Sequence, residues 1–361
     1  MTLTTPLATE HEKLGARLAT YFGCLLPERY TDLDTEYKLA RERVALVDKS
    51  YRAFFEFTGP DRVRYLNAIL SGTVRDLEVG HGAPSLLLNP QGHILAEIEI
   101  HALPDRLLGI SYAMIRESLA ATLEKYIIMD DVTLADLTER FTCLAVEGPA
   151  APAVIRELTG ADLNALPELG LREVQLGGVA CRLVRRSPGG IPGAEFIFDR
   201  AAAASLWQVL LNAVRGQQGA PIGYATLNTL RLETGIPWFG YDFDETVIPH
   251  EAGLEQSHIS YTKGCYIGQE IVERVRSRGH VNRRRVGLQF TGGMPSAGEA
   301  LLAAGKEVGR VTRAGFSPAL GRPIGMGYLP REHNAVGCLV EWSGGQAEVI
   351  ELPLKSAVSS G

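Results

Sequence analysis

The stretch SHISYTKGCYIGQEIVERVRS (257–277) sets one thiol, Cys265, among residues that can alter its chemistry. Lys263 precedes it by two positions, Gly264 adjoins it and Gly268 follows three positions later. Gly268 stands just before QEIVERV, in which Ile271, Val272 and Val275 fall on one helical face. The thiol is therefore expected on the loop feeding a helix N-terminus, where the helix dipole and free N–H groups favour an anion. The ammonium of Lys263 acts in the same sense, and both effects lower a thiol pKa from its free value of about 8.5. Gly264 removes side-chain bulk and lets another group approach. On these residues alone Cys265 fits a nucleophile, a metal ligand, a redox sensor or a small buried side chain in a tight turn.

Two other places can do chemistry. RLETGIPWFGYDFDETVIPHEAGLE (231–255) crowds Glu233, Asp242, Asp244, Glu245, Glu251 and Glu255 around Trp238, Phe239 and Tyr241. A carboxylate accepts two parallel hydrogen bonds from an amidine-like edge as it does from guanidinium, so this set suits a flat, nitrogen-rich ring. A solvated acidic loop is the plainer alternative. His250-Glu251 does not open a zinc-binding H-E-x-x-H helix, because Leu254 holds the second histidine's place. Glu195, in GGIPGAEFIF, stands at a strand start as either an exposed alternate or a buried acceptor.

These residues must be positioned by elements whose periodicity is readable. YRAFFEFTGPDRVRYLNAIL (51–70) predicts strand, turn and helix, with Pro60 at the first helical position. Residues 84–112 predict two hairpins turning at Asn89–Gly92 and at Pro104-Asp105. AMIRESLAATLEKYII (113–128) is amphipathic at helical spacing. Residues 165–200 are β-rich, 201–214 predict a helix, and 221–240 open as a helix ending at Gly235-Ile236-Pro237. Strands and helices alternate without a β-α-β rhythm, which predicts an α+β fold. Beyond residue 286, short strands split by Gly and Pro predict a small β-barrel or sandwich. The expected units are 1–285 and 286–361, with a frayed tail LKSAVSSG.

Composition narrows the classes. A chain of 361 residues predicts two or three subdomains. No apolar run reaches a membrane span, and the amino end lacks the basic and apolar segments of a signal peptide, so a cytoplasmic protein is expected. Five scattered cysteines without a C-x-x-C pair argue against a disulfide framework and against a self-contained zinc or cluster site. A net charge of −6 opposes duplex binding. RVRSRGHVNRRRVG (274–287) holds six arginines, read as a solvated connector or as a docking site for a polyanionic partner.

At this point the residues resemble a known family. KGCYIGQE (263–270) matches all eight positions of K-G-C-[FY]-x-G-Q-E, the signature of the YgfZ family of folate-binding iron–sulfur cluster maintenance proteins. Residues 57–100, 230–255 and IGMGYLP (324–330) resemble the wider superfamily that contains the glycine cleavage T-protein, an aminomethyltransferase. The resemblance spans roughly residues 40 to 355. It implies a three-subdomain ring with a C-terminal barrel and with tetrahydrofolate, or a one-carbon-substituted folate, in the central hole.

The resemblance also implies roles. Cys265 would be a functional thiol and transient cluster ligand, with Lys263 stabilising the thiolate. Glu195, Glu233, Trp238, Asp242, Gln269 and Glu270 would contact folate or fix the loop. The T-protein's two consecutive acids correspond to GHILAE, where Ala96 replaces the first and Glu97 keeps the second; its pterin motif is reduced to GIPGAE, with Glu195 kept. The function so implied is a folate-binding accessory factor for iron–sulfur client enzymes, including radical-SAM tRNA-modifying enzymes, with aminomethyl transfer lost. The alternative is a folate-dependent one-carbon transferase. A third reading, an RNA-associated module, rests on the arginine run and is opposed by the net charge.

Overall fold

The computed structural model describes residues 2–186 and 191–354. Among them the chain forms a three-stranded sheet, a five-stranded sheet, a six-stranded sheet and a closed six-stranded barrel, with helices packed between. The expected α+β class and the C-terminal barrel are both present.

The five-stranded sheet runs Gly82–Leu88, Ile94–Ala102, Leu107–Tyr112, Arg52–Thr58, Thr133–Asp136, antiparallel throughout. Because successive side chains point to opposite faces, it has two unlike sides. Ala53, Phe55, Phe57, Ala96, Ile98 and Ile100 lie under the helices Arg62–Ile69 and Arg116–Lys125, packed on Leu66, Ile69, Leu119 and Leu123. Phe54, Leu108 and Ile110 point the other way, onto Cys143, Val184 and Ile197 of the six-stranded sheet.

That second sheet runs Leu171–Leu176, Val179–Arg185, Gly193–Asp199, Phe141–Glu147, Ala45–Asp48, Ala220–Pro221. Its far face carries the helices Ala151–Thr159 and Ala203–Gly216 around the fully buried Trp207. Burial of each large side chain in these layers contributes roughly 1.5–3 kcal/mol. The sheets therefore meet through a thin apolar contact, and the site forms where that contact turns polar.

No element was expected before Tyr51, yet the structure places the strands Leu3–Thr4, Arg17–Tyr21 and Cys24–Arg29 and the helices Ala8–Lys13 and Leu33–Glu42 there. The hairpin tip Phe22-Gly23 has φ of 52° and 76°, the left-handed pair that a two-residue hairpin loop requires. A phenylalanine rarely takes that conformation. Here its ring is buried against Tyr51 at 4.4 Å, Tyr241 at 4.9 Å and Trp238 at 5.1 Å, and its N–H donates to the Tyr241 hydroxyl at 3.0 Å.

The barrel runs Arg283–Phe290, Arg322–Pro330, Lys306–Ser317, Ala300–Ala303, Leu339–Trp342, Gly345–Ile350 and closes on the first strand, which removes exposed sheet edges. The helix Tyr224–Thr234 links it to the rest. In that helix the fully buried Glu233 accepts hydrogen bonds from Tyr37 at 2.7 Å, Arg41 at 2.8 Å and Ser317 at 2.6 Å. One carboxylate thus ties the Leu33–Glu42 helix to the barrel. The arginine run is divided between the helix Gln269–Arg278 and the first barrel strand. Arg283 pairs with Glu251 at 3.1 Å and Arg284 with Glu255 at 3.4 Å, while Arg285 donates to the Ala252 carbonyl at 2.9 Å. The acidic stretch and these arginines satisfy one another.

The loop of Cys265 is irregular and ends at Gly268, φ 81°, directly before the Gln269–Arg278 helix. A Cβ on Gly268 would lie 2.7 Å from the Asn89 carbonyl oxygen, and one on Gly92 would lie 2.9 Å from Ile271. The two glycines let the loop clasp the 89–92 turn. A Cβ on Gly264 would meet nothing within 4 Å. Pro60 lies before its helix, which starts at Arg62 with Asp61 as N-cap, rather than at the first helical position. Residues 355–361 of the expected frayed tail lie outside the described residues. Among the described residues no helix is long and apolar enough to cross a membrane.

Gly268→Ala is expected to lower stability by roughly 1–3 kcal/mol, from left-handed strain and the Asn89 collision, while Gly264→Ala stays within about 0.5 kcal/mol. Urea unfolding followed by tryptophan fluorescence separates them, and equal losses would contradict the clasp. Glu233→Ala is expected to cost roughly 3–5 kcal/mol, because it strips a buried ion pair of its acid. A loss below about 1 kcal/mol in the same assay, the usual worth of a surface pair, would show that the carboxylate is not the tie.

Candidate functional site

At one end of the contact between the two sheets, the inward-facing positions become charged. Arg52 opens its strand on the same face as Phe54 and reaches Glu195 of the facing sheet at 2.8 Å and Glu99 at 3.5 Å. Arg186 contacts Glu99 and lies 3.5 Å from Glu195. Lys49 pairs with Glu147 at 2.9 Å. These side chains are largely buried, so each charge is held by an opposite one rather than by water.

The environment sets the charge states. Burial pushes the Glu195 carboxyl up, but Arg52, Arg186 and Lys49 outweigh it and hold it at about 2. Burial pulls His101, on the same strand face as Glu99, down to about 4, so its imidazole is neutral near pH 7. Burial also raises Glu97, yet the His258 and Tyr112 hydrogen bonds, with the Arg186 charge, bring it below the usual carboxylate range. Glu97 Oε1 faces His258 Nε2 at 3.0 Å, and Oε2 accepts from the Tyr112 hydroxyl at 2.6 Å.

Above this floor lies a cavity. Lys49, Tyr51, Arg52, Glu97 and Tyr112 line one side, and Arg186 and Glu195 another. Tyr224, Leu227, Leu230 and Arg231 come from the linking helix, followed by Ile236, Pro237 and Trp238. Tyr51 and Tyr112 stack at 5.8 Å, and the Arg231 guanidinium lies 4.6 Å over the Trp238 ring. The space offers flat aromatic walls, two carboxylates and several cations. Arg52 Nε, Arg186 Nε and Glu99 Oε2 are buried without a hydrogen-bond partner. Such orphaned groups are costly unless a ligand or water meets them.

Of the residues singled out in the sequence, Glu195 and Trp238 line this cavity. Asp242 does not. Its carboxylate accepts from Arg231, from the Trp238 N–H at 2.9 Å and from Thr312 at 2.5 Å, so it holds two wall residues in place. Glu233 is committed to the Arg41 and Ser317 contacts described above, away from the cavity. Glu270 extends into solvent and pairs with Arg274 at 2.7 Å, and the partly buried Gln269 begins the same helix; neither lines the cavity.

Cys265 is exposed and lies four positions before the first residue of that helix. The Lys263 ammonium donates to the carbonyls of Leu70 at 2.6 Å and Gly72 at 2.7 Å, and burial, with the Arg75 charge, pulls it down to about 8. Its hydrogen bonds therefore fasten the loop to the end of the Arg62–Ile69 helix. Among the described residues no three His, Cys, Asp or Glu side chains gather as a metal site.

The acid pair needs correction. Ala96 packs with Ile98 and Ile100 under the helices, whereas Glu97 faces the cavity. Replacement of the first acid leaves the inward face of the strand unchanged, so the cavity keeps its carboxylate. Sequence reasoning missed Lys49, Tyr51, Arg52, Tyr112, Arg186 and His258. The signal for part of the set was available: ILAEIEIHA alternates Glu97, Glu99 and His101 with apolar residues, the pattern of a strand with one buried polar face.

The comparisons with known proteins agree with this architecture. Residues 7–259 match the GCVT N-terminal domain, and residues 283–354 match the glycine cleavage T-protein C-terminal barrel domain. Aminomethyltransferase of Rubrobacter xylanophilus is 31% identical over 91% of this chain and 87% of its own. That of Streptomyces avermitilis is 30% identical over 97% and 96%. The crystal structure of glycine cleavage system aminomethyltransferase T from Bartonella henselae superposes with a TM-score of 0.89 at 27% identity, over 99% of both chains. The chain thus belongs to the glycine cleavage T-protein family.

Proposed function

We propose that this protein binds tetrahydrofolate in the central cavity and transfers a one-carbon unit there, as an aminomethyltransferase-like enzyme. The observation that carries this reading is Glu97, a carboxylate on the cavity wall with both oxygens held, one by Tyr112 and one facing His258. The relatives named aminomethyltransferase support it over nearly the whole chain.

The residues fit a folate. A pterin is a flat ring with a donor edge, and the cavity offers the faces of Tyr51 and Trp238 and the acceptor Glu195. The orphaned nitrogens of Arg52 and Arg186, both of which line the cavity, are groups that a polar ligand can satisfy. Arg231, paired with Asp242 and Asn228, braces the Trp238 ring that the pterin would meet. When bound, tetrahydrofolate supplies the amine nitrogen that carries the one-carbon unit. Glu97, kept ionised by its partners, can accept a proton or a hydrogen bond where an amine reacts. Glu97 is only partly exposed, and partial burial strengthens such charge interactions.

Incubation with tetrahydrofolate and an aminomethylated donor is expected to yield methylene-tetrahydrofolate catalytically. Glu97→Gln is expected to lower turnover by roughly 100-fold or more, the usual worth of a positioned acid–base group, with folate affinity changed far less. Absence of turnover in the unmodified protein would defeat the reading.

A second reading has its own observation. Cys265 is exposed, and Gly264 beside it opens onto free space. This suits a thiol that meets another protein, as in a folate-binding accessory factor for iron–sulfur enzymes such as radical-SAM tRNA-modifying enzymes. All five cysteines are free, which fits a reducing compartment and a cytoplasmic location. On this reading Cys265→Ser leaves folding and folate binding intact but depresses cluster-enzyme activity in cells under oxidative stress. Equal activity in both strains would remove it.

A further inference from the structure

Glu97 is the inner end of a hydrogen-bonded row that reaches the surface. Its Oε1 faces His258 Nε2 at 3.0 Å, and the other ring nitrogen, Nδ1, faces the Ser257 hydroxyl at 2.7 Å. Ser257 is exposed, whereas His258 is only 8% exposed. The His258 main chain is pinned on both sides: its N–H donates to the Leu254 carbonyl at 3.0 Å, and its carbonyl accepts from Ser71 at 2.7 Å. The row crosses from the loop preceding the signature to the wall of the cavity.

We infer that Ser257 and His258 form a proton port for Glu97, with His258 as the positioning and proton-exchanging residue of the one-carbon site. The inference rests on the folate reading above. Attaching a one-carbon unit to an amine displaces an N–H proton, which needs a route from Glu97 to solvent. The row supplies one. In the neutral tautomer that carries its proton on Nδ1, a proton that arrives on Glu97 Oε1 passes to the bare His258 Nε2 as the ring gives its Nδ1 proton to Ser257 Oγ. The original hydroxyl proton of Ser257 leaves for solvent. Each bond broken is matched by one formed, and the path runs equally well in reverse.

The groups facing Glu97 are Tyr112, Arg186 and His258. Tyrosine and arginine keep their protons at neutral pH. His258 also faces the exposed Ser257 hydroxyl, so the exchange at this carboxylate is assigned to it.

The test is isothermal titration calorimetry of the full chain with tetrahydrofolate near pH 7, in buffers of different ionisation enthalpy. The unmodified protein is expected to bind with a net proton exchange. In His258→Gln, whose amide can still hydrogen-bond Glu97 but has no ring to relay a proton, that exchange is expected to fall about threefold or more, with affinity kept within about threefold. If that variant misfolds by circular dichroism, Glu97→Gln is used and is expected to show the same loss of exchange. Binding with unaltered proton exchange in the variant, or with none in the unmodified protein, overturns the port and leaves the folate reading standing. Failure of the unmodified protein to bind tetrahydrofolate overturns both.

Discussion

Arg52 is the pivot of the molecule. Its guanidinium stands between Glu195 of one sheet and Glu99 of the other, buried on all sides. Buried ion pairs add little net stability, because desolvation offsets the attraction, but an unmatched charge there is expensive. Lys49, Arg52 and Arg186 face Glu99, Glu147 and Glu195, three cations to three carboxylates. The balance lets a polar floor persist inside a protein whose two sheets are otherwise joined by apolar contact. It also fixes how the sheets face each other, and so where Glu97, on the same strand face as Glu99, points.

The walls over that floor come from distant parts of the chain. The linking helix gives Tyr224 and Arg231, the segment after it gives Trp238, and the five-stranded sheet gives Tyr112. Asp242 holds Arg231 and the Trp238 backbone, and its hydrogen bond with Thr312 ties both to the barrel. The barrel therefore contributes to the cavity indirectly, by fixing residues that line it. Glu233 and Asp242, expected to grip a ligand, grip the protein instead, because each has an arginine within reach.

Much of the fold was legible in the sequence. The amphipathic pattern of 113–128 becomes a short 3₁₀ turn and the helix Arg116–Lys125, and the glycine- and proline-punctuated strands after residue 286 become the barrel. The site was less legible. Arg52 and Glu195 are 143 positions apart and meet only through the packing of two sheets, which no local pattern encodes. Glu233 and Asp242 looked like ligand groups because composition cannot tell a carboxylate facing a cavity from one facing its own arginine. Ala96 misled for a different reason. Conservation of charge was judged by position in a pair, whereas strand geometry judges it by face.

Phe22 has a consequence for handling the protein. A bulky residue held left-handed at a hairpin tip is the back support of Tyr51 and Trp238. The amino-terminal thirty residues are therefore part of the cavity's masonry, although they supply none of its charges. An affinity tag fused upstream, or trimming at that end, would be felt as a change in the curvature of the ligand's bed.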